Sequence, residues 1–297
     1  MKRIIIACIF IFIILFSLFY PTTSITASKN AMLIWSEQIL PTLLPFSILS
    51  SILLHSNLFG SSSKNKHLLS IITVLLCGFT FGFPIGSKLA SDFYKKEMLT
   101  RKQAHILAIT ANNFSPMYVC GFVLPFLFPN EDVTILTYVI LYFVPLLLCT
   151  FLLLFTFHES NDLSHKNTAS RFQLDMQIID AGIVSSFETL IKLCGYIVMF
   201  SLLSAILQML FQEPHIATRL LIGNMEITNG STLFSKYNID IRLKYICTIQ
   251  LLSLGGLSGL AQTASILQGS GLSIKTYICG KCLLSIISVL LSVYFIL

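Results

Sequence analysis

Charged residues are scarce in this sequence, with Asp, Glu, Lys and Arg making up 11% of its 297 residues. A soluble domain carries about a quarter of such residues, so this chain cannot cover a globular surface with polar groups. Hydrophobic residues make up 55% of it, and lipid must therefore cover much of its surface. The apolar runs are continuous rather than alternating, which favours spanning helices over a β-barrel.

Enzymatic and metal-binding motifs are also missing. The sequence has no Gly-rich loop followed by Lys-Ser/Thr, no Gly-x-Ser-x-Gly and no cluster among its six histidines. Its eight cysteines lie in or beside apolar segments, and the pair Cys279 and Cys282 has no second ligand pair. We therefore expect no enzyme, no catalytic residue, no metal site and no cofactor. The net charge of +6 indicates positive-inside topology rather than nucleic-acid binding.

Apolar runs long enough to cross or enter a bilayer recur along the whole chain. The candidate spans are roughly 3–20, 31–54, 68–82, 103–127, 132–157, 179–211, 240–268 and 272–297. The first candidate span follows Lys2 and Arg3 and precedes the stretch 21–30 of small and polar residues. A cleaved signal peptide would have the same pattern. The length of this run and the spans that follow favour a retained first helix.

Four polar or Gly/Pro-rich interruptions occur within or between the apolar runs. These interruptions are Gly82–Gly86, Asn112–Pro116, Glu226–Gly230 and Gly255–Gly259. Two short halves around the first one indicate a re-entrant hairpin rather than a crossing. Polar groups at this depth would be costly against lipid, so we expect them to face protein or a cavity.

The interruptions occur at similar places in the two halves of the chain. Residues 46–54 also resemble residues 200–208, at an offset of about half the chain. Paired interruptions of this kind mark binding sites in inverted-repeat transporters. The sequence therefore predicts an all-α polytopic membrane protein, an inverted-repeat helical bundle with re-entrant hairpins and broken helices. We divide it into an N-terminal helix and short loop (1–30), a first repeat (31–157), a polar linker (158–178) and a second repeat (179–297).

The interruptions of the first half suggest an anion-binding site. After Pro84 and Gly86 the helix restarts, and its free N–H groups at Ser87, with Lys88 in the first turn, attract a carboxylate or phosphate. A hinge with a snorkelling lysine is the alternative. Asn112, Asn113 and Ser115 offer amides and a hydroxyl that either bind a polar solute or satisfy the broken backbone.

The second half supplies further candidates for the binding site. Glu226 lies in an apolar stretch and is either a proton carrier, a hydrogen-bond acceptor or half of an internal ion pair. Its neighbours Thr228, Asn229 and Gly230 belong to the same interruption. Gln262 follows the fourth interruption and completes the predicted pocket together with Ser258, which lies within that interruption.

An ordered set of motifs runs through residues 31–285. It comprises Trp35, Ile39–Phe46, Gly82–Lys88, Leu99–Ala104, Asn112–Pro116, Glu226–Gly230, Gly255–Ser258 and Gln262. This set resembles the nucleoside-recognition "Gate" domain and, more closely, the YlbJ-like sporulation integral membrane proteins of endospore-forming bacteria. The ordered set is much more specific than any single motif in it.

The resemblance implies a transporter-like protein that moves dipicolinic acid across the outer forespore membrane, with re-entrant hairpins similar to those of nucleoside transporters. Two alternatives stay open, a nucleoside-like solute and a non-transporting scaffold of a sporulation complex. The partners we expect are the lipid bilayer, a small-molecule substrate and either a second copy or other sporulation membrane proteins.

Overall fold

The computed structural model describes residues 2–56, 66–156, 174–211, 215–236 and 239–296. This part of the chain is helical and contains no strand. Its helices are α1 (Lys2–Phe19), α2 (Pro21–Ile34), α3 (Leu40–His55), α4 (Lys66–Phe81), α5 (Ile85–Lys95), α6 (Arg101–Thr110), α7 (Pro116–Tyr118), α8 (Leu124–Leu127), α9 (Thr134–Tyr138), α10 (Val144–Leu154), α11 (Met176–Leu210), α12 (Ile216–Met225), α13 (Ile227–Lys236), α14 (Ile241–Leu254), α15 (Gly256–Gln268) and α16 (Ile274–Ile296). Most of the predicted linker 158–178 lies outside the described residues.

Five helical stretches of the described chain are long and apolar enough to cross a bilayer. They are Pro21–Leu53, Thr134–Leu154, Met176–Leu210, Ile241–Gln268 and Ile274–Ile296. Leu283, Ile286 and Leu290 on α16 are each more than half exposed, which only lipid makes favourable. The interior holds many buried polar side chains. The predicted all-α polytopic membrane fold is confirmed.

The same order of elements occurs twice along the chain. A long helix (α2 and α3, joined by a π-helical turn) precedes the hairpin α4–α5, the broken helix α6–α8 and the apolar helix α9–α10. The second half has α11, the hairpin α12–α13, the broken helix α14–α15 and then α16. The division into two repeats and their inverted relation stay predictions.

Contacts between the two halves cross over in a regular way. Helix α5, in the hairpin of the first half, packs on α15, in the broken helix of the second half. Helix α13, in the hairpin of the second half, packs on α8, in the broken helix of the first half. Likewise α6 packs on α16, and α14 on the π-helical turn Val139–Phe143. Each half therefore completes the packing of the other's interrupted helices.

One predicted loop is helical, which corrects the assignment of residues 21–30. Helix α2 begins at Pro21, and proline is favoured at the first helical position because its missing N–H has no partner there anyway. Thr26 donates to the Thr22 carbonyl oxygen at 2.7 Å, so its hydroxyl is satisfied within the helix. The polar sequence of residues 21–30 does not predict a helix, and the packing of α2 on α11 stabilises one there.

The interruptions of the second half are narrower than predicted. Helix α12 ends at Met225 and α13 begins at Ile227, so only Glu226 is extended and residues 228–230 are helical. Likewise α14 and α15 are separated by Gly255, with φ of 89°, so Ser258 and Gly259 lie within α15. Gly256, the first residue of α15, also has a positive φ of 63°. This left-handed backbone conformation is accessible to glycine without strain, so these two glycines redirect the helix.

Candidate functional site: a cavity where four helix interruptions meet

The first two interruptions pack directly against each other. The backbone of Gly86, at the start of α5, lies against the carbonyl group of Ala111 at the end of α6, and Gly78 of α4 approaches the same oxygen. A Cβ atom on either glycine would overlap that oxygen. These residues therefore hold the tip of the hairpin against the break in the next helix.

Asn112 connects four elements at this junction. Its Nδ2 donates to the Thr263 Oγ1 at 3.2 Å and to the Tyr277 hydroxyl oxygen at 3.0 Å. Its Oδ1 accepts from the Ser87 backbone N–H at 3.4 Å. We call Asn112, Ser87, Thr263 and Tyr277 the Asn112 network. It ties α5, the α6–α7 break, α15 and α16 together in the protein interior.

A buried lysine that the sequence analysis missed completes the junction. The Lys281 ammonium donates to the Asn112 carbonyl oxygen at 2.6 Å and to the Asn113 Oδ1 at 3.0 Å. Lys281 lies within an apolar helix and is 2% exposed. An ionisable residue inside a spanning segment is itself a functional signal, so its position between Cys279 and Cys282 could have identified it.

All four interruptions contribute to the wall of one cavity, whose volume is ≈ 60 Å³. Its lining residues include Phe83, Phe114, Ser115, Tyr118, Glu226, Thr228, Gly255, Ser258, Gly259 and Gln262. The remaining walls come from Thr42 and apolar residues of α3, α11 and the turn before α3. A volume of this size holds a few water molecules, far less than the roughly 300–1,000 Å³ of a drug-sized pocket.

Several polar atoms of the cavity wall are available to a solute. Among the described residues, the Tyr118 hydroxyl and the Gln262 Oε1 are buried and have no hydrogen-bond partner. The Gln262 Nε2 donates to the Ser258 Oγ at 3.4 Å, and the Thr228 hydroxyl donates to the Glu226 Oε2. Buried polar groups without partners are costly, and a bound solute or water would satisfy them.

Aromatic rings form one side of the cavity. The rings of Phe83 and Phe114 lie 5.8 Å apart with an interplanar angle of 26°, and Phe114 lies 5.4 Å from Tyr118. Phe83 also packs on Gly259, where a Cβ atom would lie 3.2 Å from the ring. Such a wall favours a flat, aromatic solute, because offset stacking is favourable at these separations.

The structure does not place Lys88 opposite Asn112, Asn113 and Ser115, as the anion hypothesis supposed. Its ammonium donates to hydroxyls of α3 and α11, at 3.4 Å to Ser51 and Ser185 and 3.1 Å to Thr189. Successive helical residues differ in direction by about 100°, so Ser87 faces Asn112 while Lys88 faces away from it. Lys88 lies outside the residues that line the cavity.

Most of the other predicted site residues lie either in the cavity wall or in the adjoining junction. Ser115, Glu226, Thr228, Ser258 and Gln262 line the cavity. Pro84, Gly86, Ser87, Asn112 and Asn113 form the adjoining junction. Gly230 packs on Gly223 of α12, where a Cβ atom would lie 2.8 Å from the Gly223 carbonyl oxygen. The Asn229 side chain lies outside the described part of the structure. Substrate binding by any of these residues stays a prediction.

Sequence comparison gives one relative over almost the whole chain. The sporulation integral membrane protein YlbJ of Bacillus subtilis (strain 168) is 26% identical over 326 aligned positions, which cover 95% of this chain and 80% of the relative. No family model matches the chain, so the Gate-domain assignment stays a prediction. No solved structure matches it significantly.

The similarity extends across both halves rather than over one motif, and the five apolar helical stretches agree with a relative that is named an integral membrane protein. The predicted YlbJ-like resemblance is therefore confirmed, and the chain is a multi-pass integral membrane protein similar to a sporulation protein.

Proposed function

We propose that this chain is a transporter or channel for a small anionic or aromatic solute, with movement of dipicolinic acid into the forespore as the specific candidate. The observation that carries the proposal is that the four helix interruptions line one cavity. Interrupted helices at mid-membrane depth are the sites at which transporters bind solutes. Placement in the outer forespore membrane rests on the YlbJ resemblance.

The cavity has features suited to an aromatic carboxylate. Tyr118 and Ser115 offer hydroxyl donors, and the Phe83 and Phe114 rings offer a flat apolar wall. The Lys88 ammonium lies farther along α3 and α11, beside hydroxyls of both helices. It would serve an anion on its way to the cavity rather than within it.

One residue favours a second candidate, a nucleoside-like solute. Glu226 is 5% exposed and lines the cavity. A carboxylate at this position repels an anion, because like charges interact strongly at low dielectric constant. An uncharged ring with hydroxyl and amino donors would instead pair with the Glu226 carboxylate and the Gln262 Oε1.

Uptake into proteoliposomes tests transport itself. We expect the purified protein to accumulate labelled dipicolinate or a nucleoside, and Ser258→Phe to reduce uptake at least tenfold because the ring fills the cavity. The matched control is Leu257→Phe on the adjacent, partly exposed position, which should retain uptake. If the protein moves neither solute, the scaffold alternative is favoured. Equal uptake by the two variants would contradict passage of the solute through this cavity.

Glu226→Gln distinguishes the two solute classes, because it removes the carboxylate charge and keeps the side-chain shape. For a dicarboxylate we expect uptake to be retained or increased. For a nucleoside-like solute we expect roughly tenfold lower uptake, since a charge-assisted hydrogen bond is worth about 1.5–3 kcal/mol and each 1.4 kcal/mol is tenfold. Initial uptake rates of both solutes by the same preparation give the comparison, and equal loss of both would contradict a direct role of Glu226 in selection.

A further inference from the structure

The oxygen atoms around the Lys281 ammonium are those of an interrupted helix. The Asn112 carbonyl lies between the end of α6 at Thr110 and the start of α7 at Pro116. Carbonyl groups at the end of a helix have no N–H partner within it and carry a partial negative charge. In transporters with broken helices, such unwound carbonyls and helix C-terminal ends coordinate the coupling Na⁺ or H⁺.

In this chain the Lys281 side-chain amine lies at that position, beside the carbonyl group at the α6–α7 break. The ammonium donates to the Asn112 carbonyl oxygen at 2.6 Å and the Asn113 Oδ1 at 3.0 Å. Within the described residues no carboxylate pairs with Lys281, so the oxygen atoms of Asn112 and Asn113 are the hydrogen-bond acceptors of its amine. A buried ammonium is costly unless its donors are satisfied, and these two oxygen atoms provide the hydrogen-bond acceptors that a cation needs at this position.

The packing of α16 on α6 fixes the ammonium in place. Gly280 precedes the lysine, and a Cβ atom there would lie 2.5 Å from the Ile109 Cδ1, so glycine permits the close approach of the two helices. Tyr277, about one turn earlier on α16, accepts from the Asn112 side chain at 3.0 Å. Two side chains of one helix thus contact both the backbone and the side chain of Asn112.

We propose that the Lys281 ammonium is a tethered cation that takes the place of a coupling Na⁺ at the α6–α7 break. The chain then needs no Na⁺ from solution to close this junction, and solute movement is independent of a Na⁺ gradient. The coupling role rests on the proposed transport function, whereas the occupied cation position does not.

Thermal unfolding of the full chain in detergent tests the inference without any transported solute. The wild-type midpoint should be the same in NaCl, methylammonium chloride and choline chloride at equal ionic strength. Lys281→Ala should unfold at a lower temperature in choline and recover saturably with Na⁺ or methylammonium, because a cation that binds only the folded state stabilises it. Lys281→Met, which fills the space without a charge, should be destabilised in all three salts.

The matched control is Lys275→Ala, which removes an exposed lysine from the same helix and should behave like the wild type. A saturable Na⁺-dependent stabilisation of the wild type would overturn the inference, because the position would then still bind a solution cation. Equal salt responses of Lys281→Ala and Lys275→Ala would overturn it as well. The wild-type measurement can overturn the inference even where a variant fails to fold. An absence of uptake would count against the proposed transport function and leave this result unaffected.

Discussion

Gly86→Ala is expected to lower the unfolding temperature strongly and to open the junction between the first two interruptions. The added methyl group would overlap the Ala111 carbonyl oxygen, and this obstacle is backbone that no rotamer change can move. Overpacking in a well-packed interior costs about 1–3 kcal/mol, and we expect the upper end here. Displacement of α5 would also move Ser87 away from Asn112.

The control for this substitution is Gly195→Ala in α11, where nothing lies within 4 Å of the added Cβ atom. Alanine is favoured over glycine within a helix by about 0.5–1 kcal/mol, so we expect Gly195→Ala to be neutral or stabilising. Thermal unfolding of both purified variants gives the comparison. Similar shifts for the two would contradict the close packing of the junction.

Asn112→Leu is expected to lower the unfolding free energy by an amount comparable to that for Gly86→Ala, because it removes buried hydrogen bonds. The substitution keeps a similar volume but removes the donor to Thr263 and Tyr277 and the acceptor for Ser87. A buried polar group left without a partner costs about 1–3 kcal/mol, so the variant should lose roughly 2–5 kcal/mol of unfolding free energy.

A double-mutant cycle with Tyr277→Phe assigns part of this loss to one hydrogen bond. Combining the two substitutions should cost less than the sum of the single losses, by about 0.5–3 kcal/mol, as for residues in direct contact. The half-buried amide pair of Asn224 and Gln250, joined at 3.0 Å, provides the control. Asn224→Leu should cost clearly less, and strict additivity of Asn112→Leu and Tyr277→Phe would contradict the network.

The helix interruptions were predictable because local backbone chemistry produces them. Helix α4 ends at Phe81, before the Gly82–Pro84 turn, and α7 begins at Pro116. Proline lacks an N–H and glycine tolerates positive φ, and neither property depends on the rest of the fold. The glycine rule also located the later interruption at Gly255, where φ is 89°, but overestimated its length. The interruption at Glu226 has no proline and its Gly230 is helical, so it was located by a carboxylate within an apolar stretch instead.

The residues that the side chains of Lys88 and Lys281 contact were not predictable. Lys88 follows a helix break in the sequence, which suggested an anion site, yet it contacts Ser185 and Thr189 about a hundred residues away. Lys281 follows no break in the sequence, yet its ammonium lies at one. Both outcomes depend on which helices pack together. Helix periodicity fixes the angle between two side chains of one helix, but it does not determine which other helices those side chains contact.

The sequence by itself determined that this chain spans a membrane and where its helices break, because scarce charge and Pro/Gly chemistry act locally. The tertiary structure alone decided that all four breaks line one cavity and that Glu226, Tyr118 and Gln262 share it. It also decided that Lys281, not Lys88, contacts the break at Asn112. These are contacts between residues far apart in sequence, and packing between helices is what brings them together.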